Sequence, residues 1–173
     1  MSGSRLVITQ GEYCASADPE ATISTLLGSC VACCLWDPVA RAGGMNHILL
    51  ASRSAGGQNT AANLAGINAM ELLINDILKL GGMRKRLQAK AFGGAHMVSG
   101  LSDIGPENCA FVIDFLEREG IECLSKSLGG DNARLVVFTP STGAVRVKAQ
   151  HRAVDVPPAQ VAAPAAGNGL ELF

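Results

Sequence analysis

The chain has 173 residues, of which 48% are hydrophobic, and its 14 lysines and arginines nearly balance its 15 aspartates and glutamates. This composition supports a packed core and excludes a wholly disordered chain, while the near-neutral charge argues against a nucleic-acid or anionic-lipid binder. No run of about 20 apolar residues predicts membrane insertion, and no leader pattern follows Met1. We therefore expect a cytoplasmic protein in which the six cysteines are free thiols.

The first half of the chain predicts short strands. Arg5–Gln10 carries an apolar strand pattern, and a polar stretch follows it. The apolar run Val31–Trp36 lies between Gly28-Ser29 and Asp37-Pro38 and is too short for a helix, so a second strand is predicted there. A third strand is predicted over Met45–Leu50.

Two helices are predicted from apolar residues that recur every three or four positions, at Asn59–Leu80 and Pro106–Glu119. Further strands are predicted at Gln88–Phe92, Ile121–Leu128, Arg134–Thr139 and Ala144–Gln150. The order predicts an α+β fold (mixed α/β layers), with two main helices packed on a largely antiparallel sheet.

The predicted domain spans residues 1–150, and residues 151–173 are predicted to be a disordered tail rich in proline and alanine. This tail closes on the apolar terminus Leu170–Phe173. Two interpretations of the terminus stay open: an inert end, or a recognition peptide on a flexible tether.

The predicted chemistry centres on Cys30 and His47. If the second and third strands pair around Asp37-Pro38, with Trp36 opposite Arg41, Cys30 lies directly opposite His47. Side chains opposed in this way have Cβ atoms about 4.5–5.5 Å apart. A neighbouring imidazole lowers a cysteine pKa and produces a thiolate at neutral pH, so the pair predicts a nucleophile and its base.

The residues just before Cys30 add to this hypothesis. Gly28 and Ser29 let the backbone bend and expose N–H groups to an oxyanion on a substrate carbonyl. Ser24 and Thr25 each offer a hydroxyl that orients His47 or binds substrate. This chemistry requires neither a metal nor any other cofactor.

Other interpretations of the same residues remain. Cys30, Cys33, Cys34 and His47 have the composition of a zinc site, but a strand points Cys30 and Cys33 to opposite faces and a second CxxC is absent. Cys33 and Cys34 are also expected as small core residues. His96 is either a second active-site group or a structural histidine.

The two strings Leu27–Pro38 and Gly43–Leu50 closely resemble the chemoreceptor glutamine deamidase family, CheD. The resemblance continues through Ala69–Asn75, Ala89–Ala95 and Leu128–Gly130. It extends in order over residues 5–148 and leaves only the tail outside.

The resemblance implies deamidation of glutamines on the cytoplasmic helices of chemoreceptors, and contact with a CheC-type receptor-adaptation phosphatase. By position, Cys30 matches the family nucleophile and His47 the general base. The third polar residue, usually threonine, falls on Ser24, with Thr25 one place off. A silent adaptor that binds the receptor or the phosphatase without turnover is the alternative function.

Two departures from the family pattern concern substrate contacts. The family commonly has a tyrosine near the start of the main helix, where this chain has Leu64 and no phenol. Asparagine usually follows the Phe-Gly-Gly-Ala string, where this chain has His96. Neither departure affects the proposed thiol–imidazole pair.

Overall fold

The computed structural model of the protein describes residues 3–50, 60–97, 104–150 and 170–173. Two α-helices lie in these ranges, α1 (Thr60–Lys79) and α2 (Ile104–Glu119), with a short 3-10 helix at Arg84–Arg86. The strands, in chain order, are β1 (Arg5–Val7), β2 (Tyr13–Ser16), β3 (Thr22–Leu27), β4 (Val31–Asp37), β5 (Ala42–Asn46), β6 (Gln88–Gly93), β7 (Glu122–Leu128), β8 (Ala133–Thr139), β9 (Ala144–Gln150) and β10 (Leu170–Leu172). Neither described helix is both long and apolar enough to cross a bilayer.

The strands form two five-stranded sheets. Sheet A has the order β1-β3-β8-β9-β10, and sheet B the order β2-β5-β4-β6-β7. The pairs β1–β3 and β6–β7 are parallel, and the other described pairs are antiparallel. Both helices pack on sheet B. The predicted α+β class with two helices on largely antiparallel strands is confirmed, but the strands divide between two sheets instead of forming one.

Strand β4 is the centre of the fold because both of its faces are covered. Val31, Cys33 and Leu35 belong to the core between sheet B and the helices. Ala32, Cys34 and Trp36 belong to the core between the two sheets. Every residue of β4 is buried, which explains why the sequence shows an unbroken apolar run here in place of an alternating pattern.

The hairpin of β4 and β5 differs from its predicted register. Cys34 pairs with Met45 and Asp37 with Ala42, so Trp36 lies opposite Gly43 and not Arg41. The reason lies in the turn, which keeps its four residues but moves by one position, to residues 38–41 in place of 37–40. The Asp37 carboxylate holds this turn by accepting the N–H groups of Val39 and Ala40. Arg41 then adopts a left-handed conformation, with φ of 56°.

Two strands in the first half of the chain were not predicted. Strand β2 pairs with β5, and β3 joins β1 to β8. The predicted third strand, Met45–Leu50, begins and ends earlier, as β5.

The end of the chain also differs from the prediction. Leu170–Leu172 pairs with β9, and the Phe173 ring packs edge-on against Phe92, with centroids 5.5 Å apart. The Phe173 main-chain oxygen accepts a hydrogen bond from Lys90 Nζ at 2.7 Å. The prediction of a disordered tail is therefore wrong for residues 170–173, because their backbone groups pair with the edge of β9. Residues 151–169 lie outside the described residues.

Candidate active site

The alternation of β3 decides which hydroxyl enters the space between the sheets. Ile23, Thr25 and Leu27 are 0%, 2% and 0% exposed, so they form the inward face. Ser24 lies on the outer face, and its Oγ is 3.5 Å from the main-chain oxygen of Leu6. Of the two predicted candidates, Thr25 is therefore the one that faces the space between the sheets and Ser24 is not, since side chains of adjacent strand residues point in opposite directions.

Thr25 binds His47 directly. Its Oγ1 lies 2.7 Å from His47 Nδ1 and also 2.7 Å from the main-chain oxygen of Ile8. A hydroxyl has one hydrogen, and the Ile8 oxygen only accepts, so the Thr25 hydroxyl donates to Ile8. It must then accept from His47, which places the neutral imidazole proton on Nδ1 and leaves Nε2 with the free lone pair.

The environment keeps His47 neutral. His47 is only 7% exposed to solvent. This burial lowers the pKa of the imidazole, and the charge of Glu12 raises it by a smaller amount. The backbone of His47 is held by the residues just before β2: His47 N–H donates to the Glu12 oxygen, and Gly11 N–H donates to the His47 oxygen. A neutral, oriented imidazole is suited to act as a general base.

Cys30 is a diagonal neighbour of His47. Val31 pairs with Ile48 and Cys34 with Met45, so the residue opposite His47 is Ala32. Cys30 lies two residues before Ala32 and packs against the core between the sheets, the side to which Thr25 and His47 turn. The predicted direct opposition of Cys30 and His47 is therefore corrected to an offset of two residues.

Cys30 is also a neutral thiol in this environment. Burial raises its pKa, whereas the sequence interpretation expected a thiolate at neutral pH. The raised thiol pKa and the lowered imidazole pKa both favour an uncharged Cys30–His47 pair.

The loop Gly28–Cys30 is held through its carbonyl groups. Ala95 N–H donates to the Gly28 oxygen at 2.9 Å, and Gly94 N–H donates to the Cys30 oxygen at 2.8 Å. The Ser29 oxygen accepts from Asn108 Nδ2 at 2.8 Å. Within the described ranges, the N–H groups of Ser29 and Cys30 have no acceptor. Unpartnered amides beside a nucleophile are suited to bind an oxyanion.

The remaining cysteines predicted near the site lie elsewhere. Cys33 faces the helices and Cys34 faces sheet A, so the four residues of the zinc hypothesis do not converge. In the part of the chain that the structure describes, no three His, Cys, Asp or Glu side chains are grouped for a metal.

The two family departures lie at the surface. His96 is exposed, and its N–H donates to the Gly130 oxygen at 2.7 Å. Leu64 on α1 is 61% exposed. Neither side chain belongs to the cluster of Thr25 and His47.

A cavity of about 280 Å³ borders His47. It lies between β2, the segment after β5 and the first half of α1, and its lining includes Glu12, Tyr13, Leu50 and Asn68. Tyr13, which sequence reasoning overlooked, is the protein's single tyrosine and lines this cavity from β2. Asn108 was overlooked as well, because an asparagine inside a helix has no motif that marks it.

Comparison with known proteins agrees with the early resemblance. The family model described as "CheD chemotactic sensory transduction" matches residues 49–149. A protein of a Caulobacter species named a probable chemoreceptor glutamine deamidase CheD is 49% identical over 96% of this chain and 91% of its own length. A protein of the same name from Acidiphilium cryptum is 52% identical over 82% of this chain and 76% of its own length.

Among solved structures, a Neisseria meningitidis protein of the DUF152 family aligns with a TM-score of 0.47 at 9% identity, over 81% of this chain and 76% of its own. That likeness carries no weight for function. The family model matches more than half of the chain, and the relatives match most of it at about half identity. The chain therefore belongs to the CheD family.

Proposed function

We propose that the protein is a chemoreceptor glutamine deamidase in which Cys30 is the nucleophile and His47 is the general base. The observation that carries this proposal is the pair of 2.7 Å contacts of the buried Thr25 hydroxyl, to Ile8 and to His47. They fix the tautomer in which Nε2 accepts a proton. The family membership of the chain supplies the substrate class, a receptor glutamine side chain.

The reaction begins with uncharged groups. As the Cys30 sulfur attacks the carboxamide carbon, its proton moves to His47 Nε2. The imidazolium that forms keeps its Nδ1–H bond to Thr25, and the N–H groups of Ser29 and Cys30 receive the oxyanion. His47 then protonates the departing amine, so ammonia leaves and a thioester remains on Cys30.

In the hydrolysis of the thioester, His47 again accepts one proton and then donates it. His47 takes a proton from water as the hydroxyl adds to the thioester carbon. The collapse of this second intermediate returns the proton to the Cys30 sulfur and releases a glutamate side chain. The net change exchanges an amine for a hydroxyl and requires no cofactor.

The proposed setting is the cytoplasm, where the substrate is a glutamine on the cytoplasmic helices of a chemoreceptor. A CheC-type phosphatase is the proposed regulatory partner. Both proposals rest on the family, since nothing in the described residues is specific to either partner.

The experiment is mass spectrometry of receptor cytoplasmic fragments incubated with the wild type or with Cys30→Ala. We expect a mass increase at particular glutamines with the wild type and none with the variant. Equal modification by both proteins would remove Cys30 from the mechanism. Tight receptor binding without any mass change would favour the silent adaptor.

A further inference from the structure

We infer that Asn108 on α2 is a positioning residue for the reaction: it orients the Ser29–Cys30 peptide so that the Cys30 N–H faces the substrate oxygen. This inference rests on the proposed function and adds a residue to it. Asn108 is fully buried, at 0% exposure. A buried amide is retained at low cost only where its donor and its acceptor are both satisfied.

Both ends of the Asn108 amide have defined partners. Its Oδ1 accepts the Leu50 N–H at 2.9 Å, and its Nδ2 donates to the Ser29 oxygen at 2.8 Å. A main-chain N–H only donates and a carbonyl only accepts, so the orientation of the amide follows from its partners. Asn108 thus connects the loop before the nucleophile to the segment that follows His47.

The geometry of one peptide unit links Asn108 to the reaction. A trans peptide is planar, and its C=O and N–H groups point in opposite directions. Because the Ser29 carbonyl is held towards α2, the N–H of the same unit, which belongs to Cys30, points away from α2. This is the side of sheet B on which Cys30 packs.

Among the residues that the structure describes, the neighbouring peptide units are held by main-chain groups. The Gly28 and Cys30 oxygens accept from Ala95 and Gly94, at 2.9 and 2.8 Å. Of these three consecutive carbonyl contacts, the contact to Ser29 is the one made by a side chain. A substitution at Asn108 therefore releases the central peptide of the loop while its neighbours stay in place.

Release of this peptide lowers the rate by a specific route. If the Ser29–Cys30 unit rotates, the Cys30 N–H no longer points at the oxyanion position, and the Ser29 carbonyl dipole opposes the developing charge. Removal of one such donor lowers kcat by a factor of about 100 to 1,000 in a serine hydrolase. Substrate binding before the reaction does not depend on this donor, so KM changes little.

The test compares two reactions of the same sulfur. Deamidation develops an oxyanion, whereas alkylation of Cys30 by iodoacetamide displaces iodide at a methylene carbon and develops none. In Asn108→Asp the acceptor for Leu50 stays and the donor to Ser29 is lost. We expect kcat for receptor fragments to fall about 100-fold, with KM and the alkylation rate close to those of the wild type.

A pH series sharpens this comparison. Protonation of the substituted carboxyl restores a donor, so the activity of Asn108→Asp relative to the wild type is expected to rise as pH falls. Dividing the activity of the variant by that of the wild type at each pH removes the effect of His47 titration, because both proteins contain His47. Asn75→Asp, at an exposed position of α1, is the matched control for the change of residue type. Asn108→Ala, compared at a temperature where circular dichroism shows it folded, replaces Asn108→Asp if the buried charge prevents folding.

The outcomes separate this inference from the proposed function. A parallel loss of deamidation and alkylation would show general damage to the site and overturn the role of Asn108. An active wild type with equally active Asn108→Asp and Asn108→Ala variants would overturn that role alone. A wild type without Cys30-dependent turnover would overturn the proposed function together with this inference.

Discussion

Replacing Thr25 by valine removes one buried oxygen atom at almost constant volume. Thr25 is 2% exposed, and its hydroxyl contacts the Ile8 oxygen and His47 Nδ1, each at 2.7 Å. In Thr25→Val both partners lose their hydrogen bond. Since His47 and Ile8 are 7% and 5% exposed, water replaces the lost contacts poorly.

The size of the effect follows from these two contacts. Each buried group left unsatisfied costs about 1–3 kcal/mol, so the free energy of unfolding is expected to fall by about 2–6 kcal/mol. For catalysis, the hydrogen bond to the imidazolium that forms during attack is worth about 1.5–3 kcal/mol. That difference corresponds to a loss of about 10- to 150-fold in kcat, before any change of tautomer is counted.

The assay is the initial rate of deamidation of a receptor fragment, measured by mass spectrometry beside thermal unfolding. Thr25→Ser keeps the hydroxyl and is expected to retain most activity. Ser24→Ala is the matched control, because Ser24 is the adjacent residue on the outer face of β3. A Thr25→Val rate within a factor of about two of the wild type, or an equal loss in Ser24→Ala, would refute the assignment of Thr25.

The remaining predictions use the same fragment assay or unfolding. His47→Ala is expected to lower the deamidation rate by a factor of about 100 or more, as for the loss of a general base, and an unchanged rate would exclude His47 as the base. Because burial lowers the pKa of His47, against the charge of Glu12, the acid limb of kcat/KM should lie below pH of about 6.5. The unfolded chain binds this proton more tightly, so the contribution of His47 to stability is complete above pH of about 6.5 and is lost as pH falls; a limb above that value would contradict a buried neutral base. Phe173→Ala should lower the free energy of unfolding by about 1–2 kcal/mol through its contact with Phe92, whereas Leu172→Ala, at a position 79% exposed, should leave it unchanged. Equal stabilities of these two variants would show that the Phe173 contact contributes nothing.

The parts of the fold that follow local rules were predictable. The apolar periods of α1 and α2 and the buried run of β4 are visible in the sequence, and all three elements form close to their predicted limits. The hairpin register was not predictable from pattern alone. It depends on the Asp37 carboxylate binding turn amides and on a left-handed Arg41, which place the turn one residue later in the chain than predicted.

The sequence indicated Cys30 and His47 as candidates, but not how the candidate site is arranged. The alternation of Ile23, Thr25 and Leu27 was present in the sequence and would have favoured Thr25 over Ser24 had β3 been identified. Asn108 acts through contacts with Ser29 and Leu50, both far from it in sequence. Strand β10 pairs three residues with β9 across a shorter separation, and a segment of three residues has no period that marks it as a strand.

Trp36 gives the protein a built-in optical probe. It is the single tryptophan, is 4% exposed, and has Lys90 Nζ 5.3 Å from its ring centroid. The same ammonium binds the Gly143 and Phe173 oxygens, so its position depends on the docking of β10. Trp36 lies about 20 Å along β4 from Cys30, at the opposite end of the strand. We therefore expect intrinsic fluorescence to change when the terminal strand is removed, and to stay the same when Cys30 is alkylated.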